Sequence, residues 1–237
     1  MSLIAHYRLD DNAASTVVLD SSGSGFHGVA ARNTNLTYAV GKIGGALNFN
    51  GTTDVVSIAP VSFSSANGNP FTVAYWVKIA NFTANPWPAP VTLKDSNSLY
   101  AWTSGISNQG GYTGLYFGGQ DLSGFARRKS NTSAATFVGA WNHVAITYNG
   151  NGMATPANFL CYLNGGLVST TAASTFSAST NITALGFSGT LSCRLTGLLD
   201  DVRIYNTALS APEVLAVYRL GKLALKAGSQ YLTLSIT

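Results

Sequence analysis

The chain has 237 residues, 46% of them hydrophobic and only 9% charged, with 25 glycines and a formal net charge of +4. A single domain of that length buries roughly 70–75% of its unfolded surface without staples, and charge spread so thinly, with Arg127-Arg128-Lys129 as its one basic cluster, gives no nucleic-acid footprint. No apolar run is long enough to insert into a membrane, and plentiful Gly, Ser, Thr and Asn beside few Glu and Lys exclude a fold of long helices in favour of short strands joined by uncharged turns.

Leu3 to Leu9 alternates loosely as a first strand, entered from Met1 without a signal-peptide core, and Asp10-Asp11-Asn12 turns the chain. Asp20-Ser-Ser-Gly-Ser-Gly-Phe-His-Gly28 is a loop of small residues opened by a carboxylate. Its glycines permit positive φ and let backbone carbonyls converge, and carbonyls with an aspartate suit a hard cation. Gly41 to Gly51 puts Leu47 and Phe49 on one strand face, and Asp54 to Ile58 follows as another strand. Phe71 to Ile79 carries Phe71, Val73, Tyr75, Val77 and Ile79 on one face and Trp76 on the other. A strand apolar on both faces is central between packed layers, so Trp76 is expected in the core.

From Asn81 to Thr136, Trp87 between prolines, Tyr100, Trp102, Tyr112, Tyr116, Asp121 and Arg127 are interleaved with glycine, serine and asparagine. Aromatic faces beside neutral hydroxyls and amides are what a sugar needs, and loops carry function more often than scaffold strands do. Trp102 and Tyr116 are the stacking candidates and Arg127 the polar anchor, although each of these rings is equally a candidate for the core. Trp141 to Gly150 and Phe159 to Gly165 form a further strand pair, which makes His143 a strand residue rather than a catalyst. Cys161 and Cys193 have no metal-site spacing; buried free thiols are expected, with a single disulfide as the alternative. Near the end, Asp200, Val202 and Ile204 alternate with Asp201, Arg203 and Tyr205 in a strand. A short helix follows, with Ser210 and Glu213 as capping box, Leu209 and Val214 as staple, and Gly221 as its C-terminal cap. Residues 1–221 read as one domain, and 222–237 as an extra edge strand or a linker.

These motifs resemble the laminin G-like, concanavalin A-like jelly rolls. The last strand and helix are similar to that family's closing G-x-hydrophobic-D-[DE]-V-R-hydrophobic-Y-N-x-A-L-S pattern, and the Asp20 loop to D-x-S-G-N-G-x-H-G, with Ser24 in place of the central Asn. The strands at Phe71 and Trp141 are similar to F-T-[IV]-x-x-W-V-K and W-x-H-V-A-x-T-Y, and Asn50 stands where an acid is usual. The resemblance covers Leu3 to Tyr218. It implies an all-β, two-layer antiparallel β-sandwich of jelly-roll type with one short C-terminal helix, and a structural Ca2+ joining Asp20 to Asp200. It further implies an extracellular or cell-surface, lectin-like module that binds a glycan or polysaccharide, with a protein partner as the alternative.

The same fold hosts glucanases, for which two carboxyl groups must flank the scissile bond. Glu213, the only glutamate, is committed to the helix cap, and the E-x-D-x-x-E strand common in those enzymes is absent. Asp95 and Asp121 are the one conceivable pair. Catalysis is therefore not expected.

Overall fold

Strand periodicity becomes two antiparallel sheets in the computed structural model, which describes residues 3–58, 69–94, 101–109, 112–121, 124–151, 155–173, 184–185 and 193–223. The strands are β1 (Leu3–Tyr7), β2 (Val17–Val18), β3 (Gly28–Ala30), β4 (Tyr38–Ile43), β5 (Gly45–Asn50), β6 (Val56–Ile58), β7 (Phe71–Ile79), β8 (Val91–Lys94) and β9 (Ala101–Gln109). They continue with β10 (Tyr112–Asp121), β11 (Gly124–Ser130), β12 (Asn142–Tyr148), β13 (Phe159–Leu163), β14 (Gly166–Leu167), β15 (Thr170–Ala173), β16 (Ala184–Leu185) and β17 (Thr196–Tyr205), and the chain then enters helix α1 (Ala211–Leu223). The first sheet has the order β14-β13-β12-β7-β17-β5-β4, with β1 also paired to β17; the second has the order β15-β11-β10-β9-β8-β16-β6-β3-β2. This is the two-layer sandwich with one C-terminal helix that the motifs imply.

β7 shows why the layers stack. Phe71, Val73, Tyr75, Val77 and Ile79 all enter the core shared by the two sheets, while Ala74 and Trp76 lie on the opposite face beneath α1. Across the core, Phe71 meets Trp102 of the second sheet edge-on, with ring centroids 5.8 Å apart. Each aliphatic or aromatic side chain buried in this way contributes about 1.5–3 kcal/mol. The helix is held by the expected signals: the Ser210 amide and hydroxyl donate to Glu213 Oε2 at 2.8 and 2.7 Å, and Leu209 and Val214 are buried together against the first sheet.

Two local expectations are corrected. Gly221 does not end the helix, which continues to Leu223; a Cβ there would sit 2.5 Å from the Trp76 ring, which only glycine avoids. Nor do Asp200 and Val202 share a face. Leu199, Val202 and Ile204 all reach the core because the pairing with β7 is irregular between Asp200 and Arg203, and Asp201 adopts φ 49°. A bulge of this kind inserts one residue and resets the alternation, so Asp200, opposite Trp76, lies on the helix side of the sheet. Cys161 and Cys193 are both buried and are not joined to each other in a disulfide. Of residues 222–237, read as an extra edge strand or a linker, 224–237 lie outside the described residues. Among the described residues no helix is long and apolar enough to cross a membrane.

Candidate functional site

The outer face of the second sheet follows from strand alternation. Trp102 and Ile106 of β9 and Leu115 and Phe117 of β10 face the core, which leaves Gly105 and Tyr116, paired in register, on the other side. Gly105 is required there: a Cβ on it would lie 2.0 Å from Tyr116 Cζ, so the tyrosine ring lies across β9 at the glycine. The Tyr116 hydroxyl then donates to the Trp87 carbonyl at 3.0 Å, and the two rings meet edge-on at 5.8 Å. Trp87 is fixed from two more directions. Its amide donates to Asn85 Oδ1 at 2.9 Å, and its indole N–H donates to Gln109 Oε1. Asn85 in turn donates to the Arg194 carbonyl at 3.2 Å, and the carbonyls of Pro86 and Pro88 accept the amides of Asn108 and Ile106, both at 2.9 Å.

The structure therefore redistributes the roles expected from sequence. Trp102, 2% exposed and edge-on to Phe71, is a core ring with no face for a sugar. Tyr116 is on the outer face but only 4% exposed, and supports Trp87 from beneath. Arg127 is brought to the same outer face by register, because Gly118 pairs with Arg127 and Tyr116 with Lys129; its side chain lies outside the described residues. The residue not singled out from sequence as a stacking candidate is Trp87, half-buried with its indole N–H on the exposed Gln109. Its flanking prolines were the available signal, since proline is confined to sheet margins and keeps a neighbouring aromatic out of a central strand.

The carboxylates proposed for a cation sit at another place. Asp20 accepts the His6 and Ser22 amides on Oδ1, both at 2.9 Å, and the Ser22 hydroxyl and Phe26 amide on Oδ2 at 2.9 and 3.0 Å. Those four donors use the roughly four acceptor positions of a carboxylate. Burial raises its pKa, but these hydrogen bonds outweigh burial and hold it below the usual value. Gly23 and Gly25 take the expected positive φ, yet the loop turns amides rather than carbonyls onto its aspartate.

Asp200 Oδ2 accepts the Lys42 and Ile43 amides at 2.6 and 2.8 Å, whereas its buried Oδ1 has no hydrogen-bond partner. Burial, with the neighbouring Asp201 charge adding to it, pushes its pKa up to about 7 against the pull of those amides. A polar cleft of about 360 Å³ lies beside it, lined also by His6, Arg8, Ser21, Asp201 and Arg203. In that cleft Asp201 Oδ1 is 2.6 Å from His6 Nε2 and 3.0 Å from Arg203 Nη2, contacts that hold the residue in its left-handed conformation. The cleft thus brings the Asp20 loop, through Ser21 and His6, beside the bulge of β17. As calcium ligands the two carboxylates fit poorly. Asp20 has no acceptor left, the amides on Asp200 favour an anion, and two guanidinium groups flank the cleft, so only Asp200 Oδ1 invites a cation.

The family model described as the concanavalin A-like lectin/glucanases superfamily matches residues 50–215. Among solved structures, the chain is similar to domain 4 of AbnA, a GH43 extracellular arabinanase from Geobacillus stearothermophilus, in complex with arabinotriose: 24% identity, TM-score 0.64, covering 92% of this chain and 98% of that one. It is similar to the binding domain of Paraclostridial Mosquitocidal Protein 1, with 15% identity, TM-score 0.62 and coverage of 92% and 52%. It is also similar to the ligand-binding domain of botulinum neurotoxin serotype D in complex with N-acetylneuraminic acid, with 17% identity, TM-score 0.59 and coverage of 92% and 50%. The chain spans about half the length of those toxin domains. At these identities the likeness shows the fold. A comparison of the sequence with curated proteins finds no match.

Proposed function

The chain belongs to the concanavalin A-like lectin/glucanase superfamily, and from that membership and the setting of Trp87 we propose that it is a non-catalytic, carbohydrate-binding module. The observation that carries the reading is the half-buried indole fixed by Asn85, Gln109 and Tyr116, with the exposed Gln109 amide beside it. A ring immobilised before the ligand arrives loses little entropy on stacking against a sugar, and neighbouring amides can take the hydroxyls. Two of the structural neighbours are described as complexes with arabinotriose and with N-acetylneuraminic acid, which supports the same class of ligand. An extracellular or cell-surface location is part of this proposal.

Catalysis is disfavoured by where the acids are. Asp10, Asp54 and Asp201 pair with arginines, Asp11 and Asp20 accept backbone amides, Asp200 is held by β4 and Glu213 by Ser210. The remaining pair, Asp95 and Asp121, have side chains outside those described. The structural calcium ion expected between Asp20 and Asp200 is not part of this proposal: the unpaired Oδ1 of Asp200 favours it, but the acceptor set of Asp20 is filled by its own loop.

A glycan array run beside a hydrolysis screen tests the function. Binding without turnover is expected, and Trp87→Ala should reduce it tenfold or more while the melting temperature changes little. Release of reducing ends would make the protein an enzyme. Capture of a protein partner with no glycan bound would make it an adhesion module.

A further inference from the structure

The cleft beside the bulge of β17 has a wall whose hydrogen bonds are complete and a floor whose are not. Tyr7 of β1 and Val202 and Ile204 of β17 enter the core, so strand alternation puts His6, Arg8 and Arg203 on the outer face of the first sheet, and the bulge brings Asp200 to that face as well. Asp201 closes the wall. Its Oδ1 takes His6 Nε2 at 2.6 Å and Arg203 Nη2 at 3.0 Å, and Arg203 Nε donates to both of its oxygens at 3.1 Å. Asp200 lines the cleft and is fully buried; its Oδ2 is spent on the Lys42 and Ile43 amides at 2.6 and 2.8 Å, and its Oδ1 has no partner. An orphaned carboxylate oxygen forfeits the hydrogen bonds it made to water in the unfolded chain, and a group in the cleft that donates to it recovers them.

The rest of the lining defines that group. The cleft, about 360 Å³, falls at the small end of the range for small-molecule sites. Its formal charges nearly cancel, because Arg203 is matched by Asp201 and the Arg8 Nη2 lies 2.9 Å from Asp10 Oδ2. A hard cation takes about 6–8 oxygens, whereas among the described residues lining the cleft Asp200 Oδ1 is the one unspent carboxylate oxygen. An anion is turned away by the same oxygen. Donors stand in the lining too: Arg8 and Ser21 are exposed, the guanidinium with N–H groups beyond the one on Asp10, the serine with a hydroxyl. A neutral hydroxyl both donates and accepts, so two on adjacent carbons match an acceptor at Asp200 beside donors at Arg8 and Ser21.

We propose that this cleft is a second carbohydrate site, taking a vicinal diol of one terminal sugar: one hydroxyl donates to Asp200 Oδ1 while its neighbour accepts from Arg8 or Ser21. The class of ligand rests on the carbohydrate reading above, but the site is separate from Trp87, which belongs to the outer face of the second sheet. A hydrogen bond to an ionised acceptor is about twice as strong as one between neutral groups, so a diol is held here without an aromatic platform. A module with sugar sites on the outer faces of both sheets can engage two chains, or two parts of one chain. The second contact then gains from the effective concentration set by the first.

The test is two-dimensional NMR of the intact chain in calcium-free buffer, titrated with arabinose, galactose, glucose and mannose to about 100 mM each. The His6 ring and the Ser21 amide report on the cleft, and the Trp87 indole N–H on the other site. Saturable shifts of His6 and Ser21 with at least one of the four sugars are expected. Asp200→Asn keeps an oxygen for the Lys42 and Ile43 amides but turns the other position into a donor, and should weaken that response tenfold or more while leaving any shift at Trp87 as it was. Arg8→Gln with Ser21→Ala, both at exposed positions, should weaken it as well at an unchanged melting temperature, which decides the matter if Asp200→Asn does not fold. A cleft response equal to the parent's in these variants would overturn the assignment. So would a response to calcium chloride alone that the sugars do not produce, which would make the cleft a metal site. No shift at His6 and Ser21 with any sugar would overturn the second site; glycans bound on an array would then leave the carbohydrate reading standing, and a blank array would overturn both.

Discussion

His143, Trp76 and Asp200 occupy one row across β12, β7 and β17, on the face that α1 covers. Burial drives their titrations in opposite senses, lowering His143 from 6.5 to about 4 and raising Asp200 from 3.8 to about 7. Between pH 4 and 6.5 the unfolded chain holds a proton on His143 that the native protein lacks, so this residue makes stability rise with pH. Between pH 3.8 and 7 the native protein holds a proton on Asp200 that the unfolded chain lacks, so stability falls as pH rises. Each slope approaches about 1.4 kcal/mol per pH unit, and the two offset where they overlap. Urea midpoints between pH 4.5 and 6.5 should therefore climb more steeply in Asp200→Asn than in the parent protein, and less steeply in His143→Gln. Parallel curves for all three proteins would show that neither group titrates as its burial requires. At the same scale Trp102 and Trp87 separate core from surface. Trp102→Ala should cost about 3–5 kcal/mol through the cavity it opens, whereas Trp87→Ala should act chiefly on binding.

Among the elements, two glycines set how close neighbours can pack. Gly221 lies in α1, where alanine would gain about 1 kcal/mol of helix propensity, yet its Cβ would come within 2.5 Å of Trp76, which stacks on Tyr218 at 5.5 Å. The clash prevails because the indole is wedged between the helix, His143 and Lys42 and has no room to retreat. Gly221→Ala should lose about 1–3 kcal/mol by chemical denaturation, and a gain in stability would mean that the helix can lift without penalty. Gly105 does the same for Tyr116 on the second sheet, so Gly105→Ala should disturb Trp87 and weaken glycan binding along with stability.

For the whole molecule, the sheets close through one apolar core and α1 seals the outside of the first sheet with a second apolar cluster. With Asp20 saturated by its own loop, adding calcium after chelation in metal-defined buffer should move the melting temperature by less than about 1 °C, below the roughly 2–4 °C that 1 kcal/mol is worth at this size. A rise of several degrees that disappears in Asp200→Asn would show that Asp20 exchanges its loop donors for the ion.

Much of the architecture was legible in the chain itself. A two-residue period at Phe71 to Ile79, apolar on both faces, can only be a central strand; Ser210 with Glu213 marks a helix start because both signals are local hydrogen bonds. Locality is also why the Asp20 loop was readable as a built turn. The parts that were not legible depend on partners far away in sequence. Which aromatic of β9 and β10 faces the core turns on register parity, and the parity of β17 changes at a bulge that no periodicity reveals until Asp201 is seen at positive φ. Whether Asp20 offers oxygens to an ion or spends them on amides is decided by how its loop and His6 of β1 close around it, and the support of Trp87 by Tyr116 exists only once Gly105 lets a ring cross the strand between them. Composition and period determined the strands and the central place of β7, because burial follows local pattern; the site waited on the tertiary structure, because it is made of contacts between strands whose faces the local pattern leaves open.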